Sequence, residues 1–338
     1  MIVVTGATGH VGSALLRALV ERRAAAPTEA GGAAPETIRA LVRPGRDLSC
    51  LAGLDVEIAR GQLHDLDSLI AAFRGADAVF HLAGKVSITH EKLESLRHVN
   101  VEGTKNVIAA CRAAGVRRLV YTSSIHAFTE QAQGMCTDEA TPIDPEGVMG
   151  PYGKTKAEAT QLAFAAAGEE LEVVVVFPTG IVGPYDCRPS EMGQMIIDFA
   201  RHKIPASTDG GYNFVDVRDV AQALIAALER GRSGQGYLLC GSGITVPEMF
   251  GMLQEITGVR APRVHVNLRL LRVVAPLIPA YYWLIRQRPL FTSYSLHVLS
   301  SNYTVSCDKA QRELGFSPRP LRETFEDAFR WFRKQGMV

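Results

Sequence analysis

Met1-Ile-Val-Val-Thr-Gly-Ala-Thr-Gly-His-Val-Gly12 begins the chain, and the way these residues read decides the fold. Ile2–Thr5 is a short, largely β-branched run that suits a buried strand, and His10–Arg22 reads as a helix. Gly6, Gly9 and Gly12 stand in the turn between them. In a strand–turn–helix unit the first glycine permits the tight turn. The second lets the backbone approach a pyrophosphate, and the third lets helix and strand pack closely. The start of the helix presents unpaired N–H groups and the positive end of its dipole, which together favour a phosphate. A glycine triplet alone says little; flanked by a strand and a helix it predicts a dinucleotide site. Thr8, His10 and Val11, interleaved with the glycines, are expected on the cofactor with them.

The pattern repeats outward. Ile38–Val42, Val56–Ala59, Ala78–His81 and Leu119–Ser123 read as strands, and Leu66–Phe73, Leu93–Ala114 and Tyr152–Ala167 as helices. Val173–Phe177 is the continuous apolar run expected of a strand buried on both faces. This alternation predicts an α/β fold, a Rossmann doubly wound parallel sheet. Residues 1–178 are expected to form the nucleotide-binding domain, with 214–230 returning to it, and 179–338 mainly a smaller C-terminal substrate-binding lobe. Asp216–Arg230 is a helix with Val217, Val220, Ala221, Leu224 and Leu228 on one face. Glu248–Thr257 is another, and Leu321, Phe325, Ala328, Phe329 and Phe332 share one side of a closing amphipathic helix. Gly183–Tyr212 reads as irregular. Arg23–Thr37, rich in Ala, Gly and Pro, reads as a long, mobile surface loop.

With 338 residues, 47% of them hydrophobic, the chain can bury a large core. Its 36 Lys and Arg against 35 Asp and Glu leave no electrostatic footprint for nucleic acid or an anionic membrane. The six cysteines, Cys50, Cys111, Cys136, Cys187, Cys240 and Cys307, show no CxxC and no metal spacing. Such usage fits reduced thiols, and a strand starting at Met1 leaves no room for a leader peptide, so no metal site and a cytoplasmic location are expected. Val273–Ile285 is too short for a bilayer, which needs about 20 apolar residues, and is interrupted by Pro276 and Pro279. It reads as a helix of the substrate lobe; Trp283 with the flanking Arg272 and Arg286 leaves a weak peripheral membrane contact as the alternative.

Arg43 follows the second strand. An NAD site usually places Asp or Glu there, on the ribose 2′-hydroxyl. The planar fork of Arg43, with Arg46 close by, instead matches a 2′-phosphate. NADP(H) is therefore expected ahead of NAD(H). Tyr152-Gly-Lys-Thr-Lys156 sets Tyr152 and Lys156 at i and i+4 on one helix face. A free tyrosine, with a pKa near ~10, is a poor base at neutral pH. A neighbouring ammonium favours the phenolate, which lets Tyr152 exchange a proton with a carbonyl or carbinol oxygen. Lys156 can also hold the nicotinamide ribose. Ser124, in Tyr121-Thr-Ser-Ser124, lies at the C-terminal end of a strand, where α/β sheets build their sites. Its hydroxyl can orient the reacting oxygen, and Thr122 beside it is expected on the cofactor.

In this combination the sequence resembles the extended short-chain dehydrogenases/reductases, also called the NAD-dependent epimerase/dehydratase family. The matching segments are TGATGHVG at Thr5–Gly12, HLAG at His81–Gly84, VNVEGTKNV at Val99–Val107, YTSS at Tyr121–Ser124 and YGKTK at Tyr152–Lys156. FPTGIVGP at Phe177–Pro184, FVDVRDVA at Phe214–Ala221 and the closing ELGFSPRPLRETFEDAFRWF match as well. The resemblance implies that Ser124, Tyr152 and Lys156 are the catalytic triad and that Asn100 positions the site and its proton-relay water. It implies that Leu82, Ala83 and Gly84 line the cofactor, that Pro178, Thr179 and Ile181 contact its nicotinamide side, and that Gln62 and Leu63 lie by the adenine. Gln62 stands where the family often has Asp, Gly84 where a second Ala is usual, and Phe177 where Arg or His is frequent. The resemblance also implies a homodimer through two helices beside the active site.

Carbonyl reduction, sugar-nucleotide epimerisation and sugar-nucleotide dehydration compete within that family. Thr137-Asp138-Glu139 lies well beyond Ser124 and reads as a surface turn rather than a dehydratase acid/base. Arg43 argues against an epimerase that keeps NAD tightly bound. Ile125-His126-Ala127-Phe128 resembles the reductase branch, which includes dihydroflavonol reductases and 3β-hydroxysteroid dehydrogenases, and puts His126 on the substrate wall with Ser124 and Tyr152. Leu277, Ile278, Tyr281, Tyr282, Trp283 and Phe291 suit a pocket for an apolar, ring-bearing alcohol or ketone. Arg188, Arg201, Lys203, Arg286 and Arg288 keep a phosphosugar in view. The expectation is reversible hydride transfer between NADP(H) and a ketone, aldehyde or secondary alcohol that is steroid- or flavonoid-like. The alternatives are a sugar-nucleotide epimerase and a non-catalytic NAD(P)-sensing protein, which typically lacks an intact Tyr/Lys pair.

Overall fold

The computed structural model describes residues 1–25, 36–87, 91–132, 134–268, 299 and 303–338. Its strands, in chain order, are β1 (Ile2–Thr5), β2 (Ile38–Val42), β3 (Glu57–Arg60), β4 (Ala78–His81), β5 (Arg118–Thr122) and β6 (Glu172–Pro178). β7 (Gly180–Val182), β8 (Ala206–Thr208), β9 (Gly211–Asp216), β10 (Gln235–Leu239), β11 (Ser242–Thr245) and β12 (Val264–Val266) follow. Seven of them form one sheet in the order β10-β6-β5-β4-β1-β2-β3, with every neighbouring pair parallel. β1 and β4 are buried at every position, which is why they read as unbroken apolar runs rather than alternating ones.

The helices are α1 (His10–Ala25), α2 (Leu66–Phe73), α3 (Leu93–Arg97), α4 (Gly103–Ala113), α5 (Gly150–Ala165), α6 (Glu191–Ala200) and α7 (Val217–Arg230). Among the described residues, α8 (Val246–Thr257), α9 (Asp308–Leu314) and α10 (Leu321–Lys334) follow. α1 and α7 bury Leu15, Leu16, Leu19, Val220 and Leu224 with one face of the sheet. α2, α4 and α5 bury Leu69, Phe73, Val107, Ala159 and Ala163 with the other. The sheet order runs from β1 toward β3 on one side and from β4 toward β6 on the other, so the chain switches direction between β1 and β4. In such a sheet the crevice beyond the strand C-termini at the switch is the natural ligand site. The register pairs Thr5 with His81 there.

A separate apolar cluster unites Val182, Ile196, Phe199, Phe214, Phe250, Phe325 and Phe332, from β7, α6, β9, α8 and α10. On α10 the buried positions include Leu321, Phe325, Ala328 and Phe332, the stripe its spacing predicts. Asp216 caps α7, accepting from the Arg218 amide at 2.7 Å and from its guanidinium at 2.8 Å. Arg319 reaches Asp219 at 2.8 Å, tying the start of α7 to the segment that leads into α10.

The structure departs from the sequence reading in several places. The helix expected at Leu93–Ala114 is interrupted by a π turn at His98–Glu102. The span read as irregular holds α6, started by Ser190, whose Oγ accepts from Gly193 N. β10 closes one edge of the parallel sheet from within the stretch assigned mainly to the lobe. The Val273–Ile285 helix, the candidate pocket residues Leu277, Ile278, Tyr281, Tyr282, Trp283 and Phe291, the basic residues Arg272, Arg286 and Arg288, and positions 26–35 of the expected loop lie outside the described residues. Among the described residues, no helix is long and apolar enough to cross a membrane.

Candidate active site

The glycine turn is latched to the end of β4. Thr5 Oγ1 accepts from the amides of Leu82 and Ala83, each at 3.2 Å, and bonds His81 Nδ1 at 2.9 Å. Gly6 has φ +69°, and a Cβ there would lie 2.7 Å from Ala83 N. A Cβ on Gly12 would lie 2.2 Å from Gly6 O. Neither position admits a side chain, and the exposed Gly9 lies between them. The Ser13 amide donates to Gly9 O at 2.8 Å, so α1 starts at once, and the amides ahead of Ser13 have no acceptor within the helix. His10 Nε2 bonds Pro184 O at 2.9 Å. A bare backbone cradle at a helix N-terminus fits a pyrophosphate; Thr122 Oγ1, at the end of β5, is buried without a hydrogen-bond partner.

The other expected cofactor residues lie at or shortly after the ends of β2, β3 and β6 and in β7. Arg43 is exposed immediately after β2, and its carbonyl accepts from Arg46 N at 3.1 Å. Gln62 N donates to Ser68 Oγ at 3.2 Å. Leu63 O accepts from Asn106 Nδ2 at 2.7 Å, and its side chain lies against Gly103. Pro178 ends β6, Thr179 N donates to Leu239 O at 3.0 Å, and Ile181 sits in β7. Gly84 has a local reason: a Cβ there would crowd Asn100 Oδ1 at 3.3 Å.

α5, with Pro151 in its first turn, carries Tyr152 and Lys156, 7% and 6% exposed. Ser124 follows β5 in an extended conformation, and its Oγ accepts from His126 N at 3.3 Å. The neighbouring Ser124 hydroxyl favours ionisation of the Tyr152 phenol, yet burial prevails and pushes the phenol up to about 12. Lys156 Nζ donates to Thr122 O at 2.8 Å and to Tyr121 Oη at 3.0 Å. Burial pulls its ammonium down to about 7. The expected lowering of Tyr152 by Lys156 is therefore not the arrangement found. The lysine is drawn onto β5 by a carbonyl and a hydroxyl, and Tyr152 is a protonated phenol at neutral pH.

Asn100 sits in the π turn. Its Oδ1 accepts from Lys85 N at 2.7 Å, and its Nδ2 donates to Lys85 O at 3.0 Å and to Thr155 Oγ1 at 3.1 Å. Thr155 Oγ1 in turn donates to Tyr152 O at 2.9 Å. Asn100 thus pins the segment after β4 to the helix that carries Tyr152. A π turn offsets the helical hydrogen bonds by one residue and often marks a functional position.

Sequence reasoning missed two parts of this site. His81, 1% exposed, bonds Thr104 Oγ1 at 3.1 Å through Nε2, and Thr104 Oγ1 donates to Asn100 O at 2.6 Å. Burial, aided by the Lys156 charge, pulls His81 down to about 3, so it is a neutral link between the glycine turn and the π turn. The signal was available: a histidine at the end of a buried strand must find partners. Tyr212 of β9 gave no signal. Its hydroxyl bonds His126 Nε2 at 2.8 Å, and the His126 ring stands edge-on to Tyr152 with centroids 6.0 Å apart. Asp138 and Glu139 bond backbone amides, Asp138 accepting locally from Ala140 N at 3.0 Å and Glu139 from Leu238 N of β10 at 2.8 Å.

The family model described as the NAD dependent epimerase/dehydratase family matches residues 2–240. Sterol demethylase protein B of Methylococcus capsulatus is 36% identical over 99% of both chains. The 2-alkyl-3-oxoalkanoate reductase of Stenotrophomonas maltophilia is 31% identical over 94% of both. The crystal structure of gox2253 matches with a TM-score of 0.85 and 36% identity, over 100% of this chain and 99% of that one.

Proposed function

The chain belongs to the NAD dependent epimerase/dehydratase family, and from that premise we propose that it is an NADP(H)-dependent oxidoreductase interconverting a ketone or aldehyde and its alcohol. The observation that carries this reading is the convergence of Ser124, Tyr152 and Lys156 beyond the end of β5. The bound nicotinamide supplies or accepts the hydride. Tyr152, protonated at neutral pH, hands its proton to the carbonyl oxygen as charge develops there. An alkoxide is a far stronger base than a phenolate, so the transfer runs downhill even from a pKa of about 12. Ser124 donates a hydrogen bond to the same oxygen. Lys156, held on Thr122 O and Tyr121 Oη, would supply a donor for the nicotinamide ribose beside Tyr152. Asn100 holds the helix in register.

Arg43 supports NADP(H) over NAD(H), since no carboxylate occupies its position after β2 and a guanidinium pairs well with a 2′-phosphate. The His126–Tyr212 pair gives the substrate side of Tyr152 an aromatic wall. Relatives named for a sterol and for a 2-alkyl-3-oxoalkanoate support an apolar carbonyl compound as substrate. The test is NADPH oxidation with sterol ketones and 2-alkyl-3-oxo acids, run on the parent and on Tyr152→Phe. The variant is expected to lose roughly 10²–10⁴ in kcat while its NADPH Kd stays within about twofold of the parent, since no phosphate-binding group is touched. Unchanged turnover in Tyr152→Phe would refute the assignment. So would epimerisation of a sugar nucleotide with NAD retained through turnover.

A further inference from the structure

The loop between β7 and α6 folds back over the dinucleotide turn. His10 Nε2 holds Pro184 O at 2.9 Å, and the Arg17 guanidinium lies 4.8 Å from the centre of the Tyr185 ring. Tyr185 has φ +70°, a left-handed conformation that is costly for a bulky residue and persists only where surrounding contacts hold it. Beyond it, Arg188 Nη2 donates to Asp47 O at 3.1 Å, and Asp47 Oδ2 lies 3.8 Å from the same guanidinium. Asp47 belongs to the β2–β3 connection that begins with Arg43 and Arg46. The β7–α6 loop therefore delivers a guanidinium from a distant part of the chain to the place where the sequence already clusters two.

The Arg188 side chain is not fully used there. Its Nη1 is sealed from solvent and has no hydrogen-bond partner, which costs free energy in the absence of an acceptor. Burial, followed by the charges of Arg188 and Arg43, pulls the Arg46 guanidinium below its ordinary range. Asp47 supplies one negative charge against the three positive ones, and its oxygens already accept from Ser49 N at 2.9 Å and Ser49 Oγ at 2.6 Å. The cluster keeps a net positive charge and, on Arg188, an unpaired donor.

We infer that Arg188 completes, with Arg43 and Arg46, a three-guanidinium site for the adenosine 2′-phosphate of NADP(H), so that the β7–α6 loop itself reads the cofactor's phosphate. The inference rests on the NADP(H) reading of Arg43 and adds to it a residue that no nucleotide-binding pattern marks. A small turn of the Arg188 side chain brings the orphaned Nη1 to a phosphate oxygen while the loop stays anchored through His10 and Arg17. Ligands that lack the 2′-phosphate gain nothing from it.

The experiment measures direct binding by calorimetry, with adenosine 2′,5′-bisphosphate and 5′-AMP as probes that differ only in the 2′-phosphate, on the parent, Arg188→Ala and Arg188→Gln. Arg188→Gln removes the charge and keeps an amide able to bond Asp47 O, so it separates loss of a phosphate contact from loss of the loop's anchor. Both variants are expected to bind the bisphosphate roughly 10-fold more weakly and 5′-AMP within about twofold of the parent. A parent preference for the bisphosphate that survives intact in both variants would overturn the role of Arg188 and leave the NADP(H) reading standing. Equal weakening of both probes would overturn it too, by showing that Arg188 only shapes the turn. A parent that binds both probes equally would overturn the NADP(H) reading and this inference together.

Discussion

His81→Gln tests the buried chain that joins the glycine turn to the π turn, and its effect is a pH dependence with a definite sign. His81 falls from 6.5 to about 3 in the folded protein because burial disfavours its charged form. Above pH 6.5 it is neutral in both states and contributes no slope. Between 6.5 and about 3 the unfolded chain binds a proton that the folded chain does not, so stability falls as pH falls. At pH 4.5, two units into that window, the loss reaches about 3 kcal/mol, or several degrees in Tm for a chain of this size. Carboxylates held low in the folded state, such as Asp77, Asp209 and Asp216, cost stability only from their ordinary range downward, where this window ends. His64, also lowered by burial and by His98, acts in the same direction, so the comparison with the variant matters more than the parent slope alone. Glutamine keeps an amide to bond Thr5 and Thr104 but does not titrate. Urea unfolding of both proteins from pH 7.5 to 4.5 is the assay. The variant should start lower and lose about 3 kcal/mol less over the range. Parallel curves for the two proteins would refute the assignment of a neutral, desolvated His81.

Two further substitutions probe the site. Gly12→Ala places a Cβ 2.2 Å from Gly6 O; the backbone must give way, at about 1–3 kcal/mol, and NADPH affinity measured by fluorescence titration should fall at least ~10-fold, while unchanged affinity would mean that the cofactor does not lie on this turn. Asn100→Ala removes the bonds to Lys85 N, Lys85 O and Thr155 Oγ1, so kcat should drop by roughly 10–100-fold with a smaller change in cofactor Kd, and an equal loss in both would make Asn100 a cofactor ligand rather than a positioning residue.

The parts of the fold legible in the sequence were those whose signal is local. β1, β2, β4 and α2 were read with the bounds the structure has, because buried parallel strands appear as short apolar runs between turn residues. β7, β9 and β10 were not read. Each becomes a strand through partners elsewhere along the chain, β10 beside β6 and β9 between β7 and β11. The π turn at His98–Glu102 has no compositional mark, since it is a shift in hydrogen bonding within residues that suit any helix.

The dinucleotide turn with which the sequence begins was decided by the sequence alone, because Gly6 and Gly12 are the residues that a turn of that shape tolerates, and that requirement is local. The signal behind the proposed reactive set, Ser124, Tyr152 and Lys156, was local too, carried by their spacing and their positions beside a strand end. Their ionisation was decided by tertiary structure. Lys156 took its partners from β5 rather than from Tyr152, and Tyr152 was raised rather than lowered, because desolvation depends on everything packed around a group and not on its neighbours in sequence. For the same reason Arg188 and Tyr212, distant along the chain, came beside Asp47 and His126 only once the chain had folded.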